Sequence, residues 1–145
     1  MARVSEGVDI KRPADRVFTF TTEAKSWPKW QSIIPASEQT SDGPVGIGTT
    51  FRGTVHMMGL SMKWTSRATE YEPPKKFGKV ITTAAMINNQ HNTYESIDGG
   101  TRFTILYDMK VRGIFKLLSS MIVSTMQKEL KKSLGNLKNV LEAQP

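Results

Sequence analysis

The sequence predicts an α+β fold in which a curved antiparallel β-sheet wraps around one long C-terminal α-helix. Three observations predict it. From Gly113 onward, Ile114, Leu118, Ile122, Met126, Leu130, Leu134, Leu137 and Leu141 recur at helical spacing, the longest such run in the chain. Between Val45 and Val111, apolar and polar residues alternate with the period of a strand. Short turn signals separate those strands, which favours antiparallel hairpins over crossovers.

Each element has its own justification. Arg3 to Lys11 sets Val4, Glu6, Val8 and Ile10 against Arg3, Ser5, Gly7 and Asp9, a strand with one charge on its mainly apolar face. Pro13 suits the first turn of a short helix whose apolar side is Val17, Phe18 and Phe20. A second short helical or turn segment carries Trp27, Pro28 and Trp30, two indoles that need a large buried contact. Ser37 to Asp42 reads as a polar edge strand closed by Asp42-Gly43-Pro44.

The strand from Thr49 to Met58 presents Phe51, Gly53, Val55 and Met57 on one face. Leu60 to Tyr71 presents Met62, Trp64, Ser66 and Ala68. Phe77 to Thr83 and Met86 to Ile97 are two more strands, the second ending at the hairpin signal Asp98-Gly99-Gly100. Thr101 to Val111 points Phe103, Ile105, Tyr107 and Met109 inward, and Arg112-Gly113 ends the sheet. No internal repeat, low-complexity tract or linker interrupts this order, so all 145 residues read as one domain.

Composition narrows the function classes. With no cysteine, disulfides, thiolate metal sites and cysteine nucleophiles are excluded, in keeping with a reducing cytoplasm. No stretch has the length of apolar residues that spans a bilayer, so no stable membrane insertion is expected. The net charge is +7, but the basic residues are scattered, and no nucleic-acid-reading signature accompanies them. Lys116, Lys128, Lys131, Lys132 and Lys138 lie mostly off the leucine stripe and read as a solvated helix face. No nucleic-acid partner is expected. No metal-ligand spacing or nucleotide-binding fingerprint occurs, so no cofactor is expected either. His56 falls opposite Phe51 and Val55, and Arg67 falls opposite Trp64, so both are expected to face outward.

Several local sequences together resemble a known superfamily. They are Arg12-Pro13-Ala14-Asp15-Arg16-Val17-Phe18, Trp27-Pro28-Lys29-Trp30, Gly46-Ile47-Gly48-Thr49-Thr50-Phe51 and Glu70-Tyr71-Glu72-Pro73-Pro74. With them go Trp64, Gly100-Thr101-Arg102-Phe103-Thr104 and Leu137-Lys138-Asn139-Val140-Leu141-Glu142. Over essentially the whole chain the pattern resembles the START-like (SRPBCC) superfamily, and most of all its bacterial polyketide cyclase/dehydrase-like branch. The resemblance implies the helix-grip fold, also that of the major birch-pollen allergen. It further implies a ligand cavity between the sheet and the C-terminal helix.

The residues expected to line that cavity are Trp30, Phe51, Val55, Met57, Trp64, Tyr94, Phe103, Ile105 and Tyr107 from the front and sheet. From the helix come Leu118, Met121, Ile122 and Met126. Large aromatics and flexible methionines make an adaptable apolar wall. The polar run Asn88-Asn89-Gln90-His91-Asn92 is unusual inside a strand. Period two puts Asn88, Gln90, Asn92 and Tyr94 on one face and Asn89, His91, Thr93 and Glu95 on the other, and the sequence leaves open which face points inward.

Three functions stay open on this reading. The first is binding of a small, largely apolar ligand: a lipid, an isoprenoid or an aromatic metabolite. The second is a cyclase/dehydratase-type enzyme that folds a reactive poly-ketone by proximity and orientation. The third is a protein-interaction or stress-related module with a filled core. No catalytic residue is named, and a monomer or a homodimer is expected.

Overall fold

The opening alternation buries Val4 and Ile10 and leaves Arg3, Ser5 and Asp9 outside, forming β1 (Ala2–Ile10). Pro13 then precedes α1 (Ala14–Thr22) with φ at −66°, the ring-fixed value that suits a helix start. A 3₁₀ segment (Ala24–Lys29) carries Trp27 into the core. Five further hairpin-linked strands follow the edge strand β2 (Ala36–Gln39): β3 (Thr50–Met57), β4 (Leu60–Glu72), β5 (Lys76–Thr82), β6 (Met86–Ile97) and β7 (Gly100–Val111). A second 3₁₀ segment (Gly113–Leu118) leads into α2 (Ser119–Ala143). The structure is a computed structural model and describes residues 2–145.

The seven strands form one sheet in the order β1-β7-β6-β5-β4-β3-β2, and every neighbouring pair is antiparallel. Strands β1 and β2 are therefore the two edges. The chain travels from one edge to the other through α1 and the first 3₁₀ segment. A register shift between Ala68 and Glu70 places a bulge in β4, which bends the strand and helps the sheet to curl. Gly53 on β3 faces Trp64 on β4. A Cβ at Gly53 would lie 2.6 Å from Trp64 Cζ2 and would overlap the Ala36 carbonyl oxygen, so only glycine lets the indole lie flat there.

Helix α2 lays Ile122, Met126, Leu130, Leu134, Leu137 and Leu141 into the concave face and packs beside β1. Its C-terminal end is tied to the start of the chain. The Arg12 guanidinium donates to the carbonyls of Glu142 at 2.7 Å and Gln144 at 2.6 Å. The Lys11 backbone N–H donates to the Glu142 carboxylate at 2.9 Å, and Lys138 Nζ donates to the same carboxylate at 2.7 Å. Hydrogen bonds from Lys138 and from the Lys11 N–H hold the Glu142 carboxyl below its ordinary pKa. The Arg12 bonds satisfy carbonyls that a helix end leaves open.

The helical stripe expected from Gly113 is corrected at its start. Gly113–Leu118 winds as a 3₁₀ turn, and the α-helix begins at Ser119. Three residues per turn puts the side chains out of phase with the stripe that follows. Ile114, Leu117 and Leu118 consequently lie exposed rather than against the sheet, and Met121, in the first turn of α2 but off the stripe that starts at Ile122, is exposed as well. Among the described residues, no helix is long and apolar enough to cross a membrane.

Candidate ligand cavity

The interior under the sheet has two ends that differ in how well they are filled. At the end below α1, aromatic rings close the space. The Tyr94 ring lies 5.0 Å from Phe18 and 4.8 Å from Phe103 between centroids, and its hydroxyl meets Thr21 Oγ1 at 2.6 Å. Trp30 sits edge-on to Phe103 at 6.3 Å. Phe51 packs against Trp27 at 4.9 Å, and Ile105 and Ile122 are buried in the same core.

At the other end the packing does not close. A cavity of about 70 Å³ lies between the sheet and α2. Strands β3 and β4 supply Val55, Met57, Met62 and Trp64. Strands β5 and β6, with the turn between them, supply Lys79, Ile81, Thr83, Met86, Asn88 and Gln90. Tyr107 comes from β7 and Met126 from α2, while Trp27, Gln31, Ile33 and Ile34 form the near wall. Four of the lining residues are methionines, from a total of eight in the chain. Their unbranched side chains give this wall room to rearrange. The volume is less than half of the ~150 Å³ apolar cavity known to admit benzene. Any ligand beyond a few atoms must push these methionines aside.

Among the described residues, one cationic side chain lines the cavity. Lys79 is only 5 % exposed, and its cross-strand partners, Ala68 of β4 and Gln90 of β6, are buried with it. Its Nζ stands 3.4 Å above the Trp27 ring centroid and 5.7 Å from that of Trp64. Among the described residues no carboxylate pairs with it, and no Asp or Glu lines the cavity. Burial pulls the Lys79 ammonium down to a pKa of about 7. The indole face beneath it acts in the opposite sense, because its π-density favours the cation.

The remaining polar groups are neutral. Asn88, 3 % exposed, has no hydrogen-bond partner for Oδ1. Gln90 Nε2 donates to Asn92 Oδ1 at 2.9 Å. Burial raises the Tyr107 hydroxyl's pKa, so it stays protonated and available as a donor. Both wall indoles have satisfied N–H groups: Trp27 Nε1 donates to the Thr21 carbonyl at 2.8 Å, and Trp64 Nε1 to that of Thr54 at 3.1 Å. They therefore offer the cavity only their rings.

Of the residues expected on the wall, the structure brings together Val55, Met57, Trp64, Tyr107 and Met126. Trp30, Phe51, Tyr94, Phe103, Ile105 and Ile122 are buried in the filled core instead. Leu118 and Met121 are 42 % and 55 % exposed, so their placement beneath the helix is corrected. The polar run on β6 turns Asn88, Gln90, Asn92 and Tyr94 inward, and His91 outward toward Glu70 at 3.6 Å. His56 faces outward beside Ser61, and Arg67 is exposed. Lys79 is absent from the wall expected from sequence, yet it has a signal. Phe77 and Ile81 fix the inward parity of β5, and Lys79 lies midway between them.

Known proteins fit this architecture. The profile of the family described as polyketide cyclase / dehydrase and lipid transport matches residues 1–142. No curated protein matches the chain in sequence. Among solved structures, TTHA0849 from Thermus thermophilus is similar at TM-score 0.84 and 18 % identity, over 99 % of this chain and 100 % of that one. The Zhui aromatase/cyclase from Streptomyces sp. R1128 is similar at TM-score 0.85 and 16 % identity, over 97 % and 93 %. Ara h 8.0201 is similar at TM-score 0.65 and 16 % identity, over 94 % and 97 %. At these identities the solved structures speak for the helix-grip fold alone, whereas the profile spans nearly the whole sequence. The chain belongs to the polyketide cyclase / dehydrase and lipid transport family.

Proposed function

We propose that this protein binds a small, largely apolar ligand in the cavity between the sheet and α2. The observation that carries the reading is the unfilled, methionine-rich wall at one end of an otherwise closely packed interior. Protein interiors normally fill such space, since a void forfeits the contacts of its lining. A deformable apolar wall with a few polar groups is the usual composition of a small-molecule site. The family's description, which joins cyclisation to lipid transport, supports the same class of ligand.

Trp27 and Trp64 both line the cavity and report directly on its contents. Titration with a neutral aromatic such as 3-phenylpropanol is expected to shift their fluorescence with saturation. Val55→Phe, which fills the space from β3, is expected to abolish that saturable shift while the protein remains folded by circular dichroism. Unchanged binding by Val55→Phe would remove the cavity as the site. Native mass spectrometry of the freshly purified protein adds the identity of any bound compound.

A second reading is a cyclase/dehydratase acting on such a ligand. It is favoured by the presence of Lys79 and the neutral Tyr107 hydroxyl among apolar walls, since proton donors in a dry site can steer an aldol closure. Turnover of a poly-ketone, lost in Lys79→Met and Tyr107→Phe, separates an enzyme from a binder.

A further inference from the structure

We propose that the ligand carries a single carboxylate on its apolar body, and that Lys79 is the group that selects it. This rests on the cavity being a ligand site, and it adds the ligand's charge and the residue that reads it.

Strand parity fixes the side of the sheet on which the lysine lies. Phe77, Lys79 and Ile81 share the inward face of β5, so the lysine is held inside by the same alternation that buries Phe77. It does not lie along the surface with its head in water, as lysines usually do. A buried cation needs compensation, because burial strips it of its hydration. The Trp27 face at 3.4 Å supplies only part of that. The wall supplies no anion. Glu129 borders only a separate small void beside Gln31 and Tyr107, and its carboxylate accepts from Ser32 Oγ at 3.4 Å. The charge that would neutralise Lys79 is therefore absent from the protein side of the cavity.

A ligand carboxylate completes the pair, in a setting where charge-assisted bonds are strong. Tyr107 offers a further donor on the same wall. One cation and a small space match a monoanion rather than a phosphate, whose second charge would find no partner. A neutral ketone or alcohol would fill the cavity but leave the ammonium uncompensated.

Isothermal calorimetry with a matched pair tests this, using 3-phenylpropanoate and 3-phenylpropanol at pH 7. The acid is expected to bind about tenfold or more tightly than the alcohol, the scale of one charged hydrogen bond. Lys79→Met is expected to lose that preference and keep its affinity for the alcohol, which also shows that its cavity is intact. Equal affinities in the native protein, or an acid preference that survives in Lys79→Met, would overturn the inference while leaving the cavity as a ligand site. Binding of neither compound would remove the cavity reading and the inference together. Should Lys79→Met fail to fold, Lys79→Gln, which keeps a polar side chain without the charge, takes its place: the acid preference is expected to be lost, and its survival would overturn the inference.

Discussion

Lys79 gives the fold a dependence on pH that runs opposite to that of most salt-bridged lysines. Its ordinary value is 10.5, and burial lowers it to about 7 in the folded protein. Between those values the unfolded chain binds the proton and the native state does not, so stability rises with pH across that window. Below about pH 7 both states are charged, and the full penalty is present. The cavity's other titratable group, Tyr107, remains neutral throughout this range. Chemical denaturation of the native protein and of Lys79→Met at pH 7 and pH 9 isolates the effect, since the surface lysines cancel in the comparison. The native protein is expected to gain about 2 kcal/mol relative to the variant over those two pH units. At pH 7 the variant should be the more stable of the two. No relative gain would mean that Lys79 keeps its charge when folded.

The same residue shows what a sequence reveals about a site. Alternation identifies the inward faces of β3, β4 and β7 correctly, down to Trp64 opposite Arg67. Applied to β5, it also places Lys79 inside, but a lysine between two apolar residues is easily passed over as a surface charge. Alternation gives a side chain's direction, not whether the space it enters is filled. Phe103 points inward as expected, but it meets Tyr94, which in turn meets Phe18, while Met57 and Tyr107 meet a void. That difference depends on how three separated segments pack together, which no local pattern records. The parity of Asn88 to Asn92 is ambiguous for a similar reason. Both of its faces are polar in sequence, and only the pairing with β5 and β7 selects one.

Among the elements, α2 is held very unequally along its length. Its last turns are fastened to the start of the chain by Arg12, by the Lys11 N–H and by Lys138 donating to the Asp9 carbonyl, and Leu137 and Leu141 are fully buried. Its first turn follows a 3₁₀ segment whose Ile114 and Leu117 stand in solvent. The helix is thus most firmly held at its C-terminal end, while beside the cavity-lining Met126 a hydrogen bond from Gln127 to Glu6, at 2.6 Å, ties it to β1. Arg12→Ala removes the two bonds to carbonyls at the helix end and should destabilise the protein by about 2 kcal/mol. Hydrogen exchange should quicken around residues 140–143, while affinity for 3-phenylpropanol changes little. A loss of ligand affinity as large as the loss of stability would show that the two ends of α2 are coupled. The leucine stripe is plain in the sequence. Its pattern starts the helix at Gly113 rather than Ser119, because apolar residues in a 3₁₀ turn mimic the beginning of the stripe.

For the molecule as a whole, the strand order matters more than any single contact. Strands β3 to β7 are joined by successive hairpins, whereas among the described residues β1 pairs with β7 alone, with Ala2 opposite Met109 and Ile10 opposite Thr101. The local meander can form early, and the pairing of β1 must wait for a long loop to close. Pulsed hydrogen exchange during refolding is expected to protect the amides of β3 and β4 before those of β1. Simultaneous protection of all three strands would contradict this order.

The edge position of β1 also has a consequence for the cell that makes the protein. A ribosome releases β1 first and its mate about a hundred residues later, a delay of about 5–20 s at ordinary rates of synthesis. For that interval the nascent chain carries Val4, Val8 and Ile10 without the strand they pair with in the fold. Arg3, Asp9, Lys11 and Arg12, interspersed among them, set charge against the pairing of that segment with like segments on the same polysome.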